Sequence, residues 1–343
     1  MKKVRFGIIG SGVFADFHAK GIDRTDDAEL IGVCDVVEEK ARLLADKYSV
    51  EFYCSDYHEL INRDDIDAVT IPAPDQLHRQ IAIDAMRAGK HVLCEKPMAL
   101  NIDDCREMIK ASKETGMKLM IGQICRYTPS FVKAKELIDK GEIGDLFFVE
   151  SEYAHDYCKI GGEGTWRVTP ERYPILGGGC HSIDLLRWIA GNPTEVFAYS
   201  NHKMLPGWPV DDCTVAVMKF PNGVIGKSLT AIGVKRNYTM RTVLYGSKGS
   251  IIVDNTSPTL SVFKAAFGGS EENFDAEQET IEMKIECAID NHNTYGEVKE
   301  FCKCIKEDLP VVMTGEEGMA TVAVCLAAVK SAKSGMPEKP EYE

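Results

Sequence analysis

The chain has 343 residues, 44% hydrophobic and 27% charged, with 53 acidic against 40 basic side chains and a formal net charge of −13. That length favours two domains, each able to bury its own core, and the composition excludes a disordered chain, a fibrous repeat and a small disulfide scaffold. The acidic balance does not supply the basic face that a duplex requires, so no nucleic-acid partner is expected. The N-terminal apolar run stops at Gly10, too early for a signal peptide, and no stretch is apolar for long enough to span a bilayer. The 12 cysteines are scattered and form no CxxC pair. They read as reduced thiols in a cytoplasm, with neither a disulfide framework nor a zinc site, and no metal is expected.

In chain order, Val4–Ile9 is a short apolar run suited to a buried parallel strand. A glycine turn and a helix to about Asp23 follow, then a strand at Leu30–Asp35 and helices at Glu38–Tyr48 and Asp56–Asn62. Ala68–Ile71 is the next strand, ended by Pro72 and Pro74, and Gln76–Ala88 is an amphipathic helix stopped by Gly89. His91–Cys94, the helix Asp103–Thr115 and the strand Lys118–Gly122 complete an alternating pattern, which implies a doubly wound parallel sheet over residues 1–123. Residues 124–343 are expected to form a second, α+β domain. It starts with a helix at Phe131–Lys140 and continues in strands at Leu146–Ala154, Val196–Ser200, Thr214–Phe220, Val224–Ala231, Arg241–Tyr245, Ser250–Val253, Leu260–Lys264 and Gln278–Ile285. Hairpin turns at Pro221–Gly223 and Tyr245–Ser250 make this sheet largely antiparallel. Glu271–Asn273 is the most loop-like stretch, and helices at Tyr295–Glu307 and Glu316–Ser334 end the chain, the last able to pack back on the first domain.

Gly10-Ser11-Gly12-Val13-Phe14-Ala15 matches G-x-G-x-x-[GA] between a strand and a helix. Gly10 permits the tight turn, Gly12 lets backbone approach a pyrophosphate, Ala15 keeps helix and strand close, and the helix N-terminus offers free N–H donors. Asp35 ends the next strand, placed to accept hydrogen bonds from ribose hydroxyls. It would repel a 2′-phosphate, and Val36 and Val37 supply no cation, so NAD is favoured over NADP. A second strand ends in Glu95-Lys96-Pro97 at the carboxyl edge of the sheet, where open α/β sheets bind ligands. A lysine there can steady developing negative charge; a solvated strand-end lysine is the rival reading.

The runs Gly10–Ala15, Ile71–His78, Ala88–Pro97, Arg126-Tyr127, Trp166-Arg167, Gly177–Trp188 and Tyr245–Gly249 together resemble the Gfo/Idh/MocA family (glucose–fructose oxidoreductase, inositol dehydrogenase, rhizopine catabolism) over nearly the whole chain. The resemblance implies an N-terminal Rossmann domain, a C-terminal domain with a large open sheet, and hydride transfer between nicotinamide and a secondary hydroxyl of a sugar, glycoside or cyclitol. It makes Lys96 the catalytic lysine, His181 the general base and Asp184 a second acidic catalytic residue. An imidazole accepts a hydroxyl proton near neutral pH, and Asp184 shares a helix face with His181 at i,i+3. A helix cap at His181 and a first-turn carboxylate at Asp184 are the rival readings. Where many relatives carry aspartate, four residues before the histidine, this chain has Gly177.

The resemblance also implies a cofactor site that adds Val13, Phe14, Pro74, His78, Glu95, Arg126, Trp166 and Arg167 to the residues above. A helix N-cap at Asp75 explains its loop equally well. Substrate contacts are expected from Lys96, Arg126, Tyr153, His155 and His181. A neutral polyol is the simpler substrate, because an anion would need local cations such as Lys96, Arg126 or Arg167. The sheet of the second domain is expected to assemble a homodimer or homotetramer. A glycosidase acting by transient oxidation, or a non-catalytic NAD-bound sugar sensor, are alternatives; the retained Lys96 disfavours the sensor.

Overall fold

The computed structural model describes residues 3–159, 165–265 and 280–343 and carries two sheets, of six and eight strands. The chain forms two units: Met1–Tyr127 with His292–Ala323 and Glu341–Glu343, and Thr128–Asn291 with Val324–Pro340. They are not two consecutive stretches, as a single division at 123 would have them, because the chain returns to the first unit at His292. Glu271–Asn273 and the start of the expected strand at Gln278 lie outside the described residues.

The first unit runs β1 (Val4–Ile9), α1 (Val13–Asp23), β2 (Ala28–Cys34), α2 (Glu38–Lys47), β3 (Phe52–Cys54), α3 (Tyr57–Ile61), β4 (Ala68–Ile71), α4 (His78–Arg87), β5 (His91–Glu95), α5 (Ile102–Thr115) and β6 (Leu119–Gly122). The strands pair in parallel in the order β3-β2-β1-β4-β5-β6. The chain therefore works outward from β1 and then doubles back to β4, which puts the switch of direction beside the glycine turn. Strand β2 begins at Ala28 because Ala28 already pairs with Val4. Strand β3 is too short to show periodicity and exists by its pairing with β2. Helix α5 is built as its sequence suggests, with an Asn101 side-chain cap and Gly116 in the left-handed region beyond its end.

The second unit holds α6 (Pro129–Asp139), β7 (Leu146–Ala154), α7 (Pro174–Gly177), α8 (Cys180–Ala190), β8 (Glu195–Asn201), β9 (Cys213–Lys219), β10 (Ile225–Ala231), β11 (Arg241–Gly246), β12 (Gly249–Asp254), β13 (Thr259–Ala265) and β14 (Thr280–Glu286). Its sheet order is β14-β13-β12-β11-β7-β10-β9-β8, antiparallel throughout except where β7 and β10 run parallel. Helices α6 and α8 pack on this sheet. Phe147, Tyr199, Val217, Ile225, Ile281 and Met283 on its strands stay exposed.

Helix α9 (Thr294–Lys306) belongs to the first unit, and the division between units falls within α10 (Gly315–Ser334). Val298, Phe301 and Cys302 of α9 complete the first core with Phe6, Ile8, Ala15, Ala19, Ile22, Leu93 and Met120. The Phe6 and Phe301 rings lie 6.3 Å apart. Each such buried side chain contributes about 1.5–3 kcal/mol relative to exposure. The twelve cysteines are thiols rather than disulfides, and no helix among the described residues is long and apolar enough to cross a membrane.

Candidate active site

In the first unit, β1 ends at Ile9 and Gly10 turns the chain with φ +104°, a conformation that L side chains rarely adopt. A Cβ there would stand 3.0 Å from the Ala73 backbone after β4. At Gly12 a Cβ would meet nothing within 4 Å, and α1 opens on Gly12 with no side-chain cap. The amides of the first turn therefore face open space, with Val13 78% exposed. Asp35 closes the edge of this cradle, its Oδ2 accepting the Ser11 N–H at 2.7 Å and its Oδ1 the Val37 N–H at 2.9 Å. Ser11 Oγ is buried without a partner. An open backbone cradle, an uncapped helix N-terminus and a fixed carboxylate beside them fit a dinucleotide.

Strand β5 ends at the same edge of the sheet. The Lys96–Pro97 bond is cis, and the Lys96 ammonium lies 5.7 Å from the centre of the Phe14 ring on the first turn of α1. The tertiary structure thus brings the lysine to the cradle. Phe14 meets Phe17 and His292, whose rings stack at 4.8 Å from each other. Sequence reasoning missed His292, which the chain supplies only on its return. Glu95 is buried; its Oε1 meets His18 Nε2 at 2.9 Å and its Oε2 accepts the Lys96 N–H at 3.1 Å. A carboxylate only accepts, so Nε2 carries the proton of that bond.

Pro74 opens a short turn at Asp75–Leu77, and Asp75 is buried rather than capping α4, whose N-cap position is Leu77. His78 is fully buried, with Nδ1 2.9 Å from the Pro97 carbonyl and Nε2 3.0 Å from that of Ala73. Both its polar atoms are engaged by the loops they hold together. Arg126 is paired with Glu317 Oε2 at 2.9 Å, which offsets its charge.

In the second unit, α8 presents His181 one residue after its start, and Gly179 is the N-cap. Asp184 lies beyond the first turn, fully buried, 3.6 Å from Arg187 Nη1. A helix cap at His181 and a dipole-satisfying carboxylate at Asp184 are therefore both set aside. The His181 ring stacks on Tyr153 at 6.1 Å, and Tyr153 also meets His155, Tyr157 and Tyr238. The Tyr153 and Tyr157 hydroxyls are 2.9 Å apart. Burial first, then the neighbouring tyrosines, pushes the Tyr153 phenol far above its ordinary range, so it stays a neutral hydrogen-bonding group. The Trp166 ring has the Arg167 guanidinium at 4.2 Å and that of Arg172 at 5.0 Å.

Arg172 explains Gly177. It is 3% exposed, and any Cβ at 177 would overlap its guanidinium. An arginine five residues upstream thus fills the room that a side chain at 177 would need. Tyr157 leaves β7 together with Tyr153, His155 and Asp156, a grouping already visible in the sequence, whereas no pattern in the sequence marks Arg172 or Tyr238, because each joins the cluster through a different part of the chain.

Comparison with known proteins agrees with this architecture. The chain is 29% identical to the myo-inositol 2-dehydrogenase of Thermotoga maritima over 339 residues, covering 96% of each chain. It is 29% identical to the 1,5-anhydro-D-fructose reductase of Ensifer adhaerens over 345 residues, 98% of each, and 28% identical to an uncharacterized oxidoreductase of Bacillus subtilis, YrbE, over 99% of this chain and 98% of that one. The solved structure of levoglucosan dehydrogenase in complex with NADH superposes with a TM-score of 0.88 over 99% of this chain and 100% of that one, at 22% identity, a likeness of fold. Residues 4–123 match the oxidoreductase family with an NAD-binding Rossmann fold, and residues 131–252 match the Gfo/Idh/MocA C-terminal domain. With both of its domains matched, the chain belongs to the Gfo/Idh/MocA family and is an NAD-binding oxidoreductase.

Proposed function

We propose that the protein is an NAD-dependent dehydrogenase that moves a hydride between nicotinamide and a secondary hydroxyl of a sugar, glycoside or cyclitol. The observation that carries this reading is Lys96 beside Phe14, which joins the strand-end lysine to the cofactor cradle. Relatives named for a cyclitol and an anhydrosugar point to the same substrate class. Gly10–Ala15 and Asp35 bind the cofactor, and the Asp35 carboxylate favours NAD over NADP. NAD, when bound, takes up the hydride. His181 accepts the hydroxyl proton at an imidazole nitrogen and Lys96 steadies the developing alkoxide. Tyr153 and His155 offer rings and polar tips to a sugar, with Arg126, Trp166 and Arg167 lining the cofactor or substrate side and Asp184 supporting His181. We place the protein in the cytoplasm, where reduced thiols persist, and expect a homodimer or homotetramer formed by the apolar side chains left exposed on the eight-stranded sheet. Light scattering that finds a monomer at micromolar concentration would refute the assembly.

The test is a panel of inositols, sugars and glycosides with NAD or NADP, followed by reduced-cofactor absorbance. Turnover of a polyol with NAD is expected, reduced at least ~100-fold in Lys96→Ala and in His181→Ala. Undiminished turnover in both variants overturns the residue roles. Sugar release from a glycoside without added NAD would replace the reaction class.

A further inference from the structure

The first unit buries a polar cluster that the proposed reaction leaves unused. His18 on α1 is fully buried with Nε2 on Glu95, and its Nδ1 has no partner. Helix α9 returns to α1, where the Thr294 hydroxyl donates to the Phe17 carbonyl at 2.6 Å. One turn on, Glu297 is 0% exposed and neither of its carboxyl oxygens has a hydrogen-bond partner. The Tyr127 side chain lies beside this helix, its phenol pushed up by burial first and then by the nearby Glu300 and Glu297.

A buried carboxylate without a donor is strongly disfavoured, and a second anion close to another carboxylate more so. Burial, then the charges of Glu95 and Glu300, pushes the Glu297 carboxyl well above its ordinary range. Burial also opposes the charge of Glu95, but the His18 hydrogen bond and charge, with the Lys96 ammonium, outweigh it and hold that carboxyl low. Donors therefore favour the negative charge on Glu95, which accepts from His18 and the Lys96 N–H, over Glu297, whose carboxyl oxygens accept from none. The groups around the pair are His18 from α1, Lys96 after β5, Tyr127 from the turn after β6, and Glu300 from α9 itself.

We propose that His18 and Glu297 are positioning residues for Lys96: His18 fixes the Glu95 carboxylate that anchors the Lys96 N–H, and Glu297 is the neutral neighbour that leaves this carboxylate its charge. The proposal rests on Lys96 serving the reaction above, but its test needs no substrate. Infrared spectra of the full chain at neutral pH are expected to show the carbonyl band of a buried protonated carboxylic acid that Glu297→Gln removes. A wild-type spectrum without that band overturns the role of Glu297. Competitive acetylation of Lys96 across pH, read by mass spectrometry, reports the midpoint at which its amine becomes reactive. In His18→Ala, Glu95 takes up a proton, Lys96 loses the adjacent negative charge, and the midpoint falls by about one pH unit or more. His18→Gln, which keeps a donor of similar reach, recovers part of that shift. If His18→Ala does not fold, His18→Asn, with a donor too short for Glu95, replaces it. A wild-type Lys96 midpoint in the folded donor-less variant overturns the proposal, and does so whether or not the polyol panel finds a substrate.

Discussion

Gly10 and Gly12 stand two residues apart in one motif, yet the structure assigns them opposite vulnerabilities. Gly10→Ala forces an L side chain to φ +104° and sets its Cβ 3.0 Å from the N and Cα of Ala73 and 3.1 Å from the carbonyl carbon of Pro72. Those are backbone atoms, so a turn must move. The left-handed conformation costs about 1–2 kcal/mol and the overlap about 1–3 kcal/mol, for a loss of about 3 kcal/mol. That lowers the unfolding midpoint by about 6–12 °C. Gly12→Ala, at φ −76° with nothing within 4 Å, changes stability by less than about 1 kcal/mol. Its methyl group instead occupies the space a pyrophosphate must enter, and NADH affinity falls at least about tenfold, or 1.4 kcal/mol. Thermal unfolding without ligand and a fluorescence titration with NADH separate the two effects. The reasoning is refuted if Gly12→Ala unfolds as early as Gly10→Ala, or if it binds NADH as tightly as wild type.

Other perturbations follow from single contacts. Asp212 is 1% exposed and its Oδ2 accepts the N–H groups of Lys203, Met204 and Leu205 at 3.1, 2.6 and 2.8 Å. Asp212→Ala strands these donors and is expected to cost about 3 kcal/mol in urea unfolding; an unchanged midpoint would contradict it. Asp35→Ala removes the acceptor at the edge of the cradle and should weaken NAD binding at least about tenfold, seen by calorimetry. The raised Glu297 carboxyl gives a signed pH dependence. Above the ordinary glutamate range the unfolded chain gives up this proton while the folded chain keeps it, so wild type loses stability as pH rises toward the folded value. Glu297→Gln removes that loss, so it should gain on wild type from acid to neutral pH in parallel unfolding curves. A pH-independent difference would count against a protonated Glu297.

Much of this molecule is legible because its patterns are local. The alternation of short apolar runs with helical periodicity, the glycine turn after β1 and the acidic residue after β2 specify the first sheet and its cofactor edge without any long-range information. The ends of β7 are read from the sequence at Leu146 and Ala154, where alternation is strong. What is not legible has no local signature. Strand β3 is three residues held by its neighbour. Glu297 and His18 look like ordinary helical residues, 279 positions apart, until α9 is laid on α1 and buries both. Gly177 reads as a missing side chain, and only the fold shows the Arg172 guanidinium in its place. The sequence by itself determined most of the strands and helices, though not β3 or α7, and the glycine turn that opens α1, because those follow from backbone conformation and nearby side chains. The tertiary structure alone decided which polar groups lose their water and face one another, because desolvation and charge pairing depend on which distant segments meet.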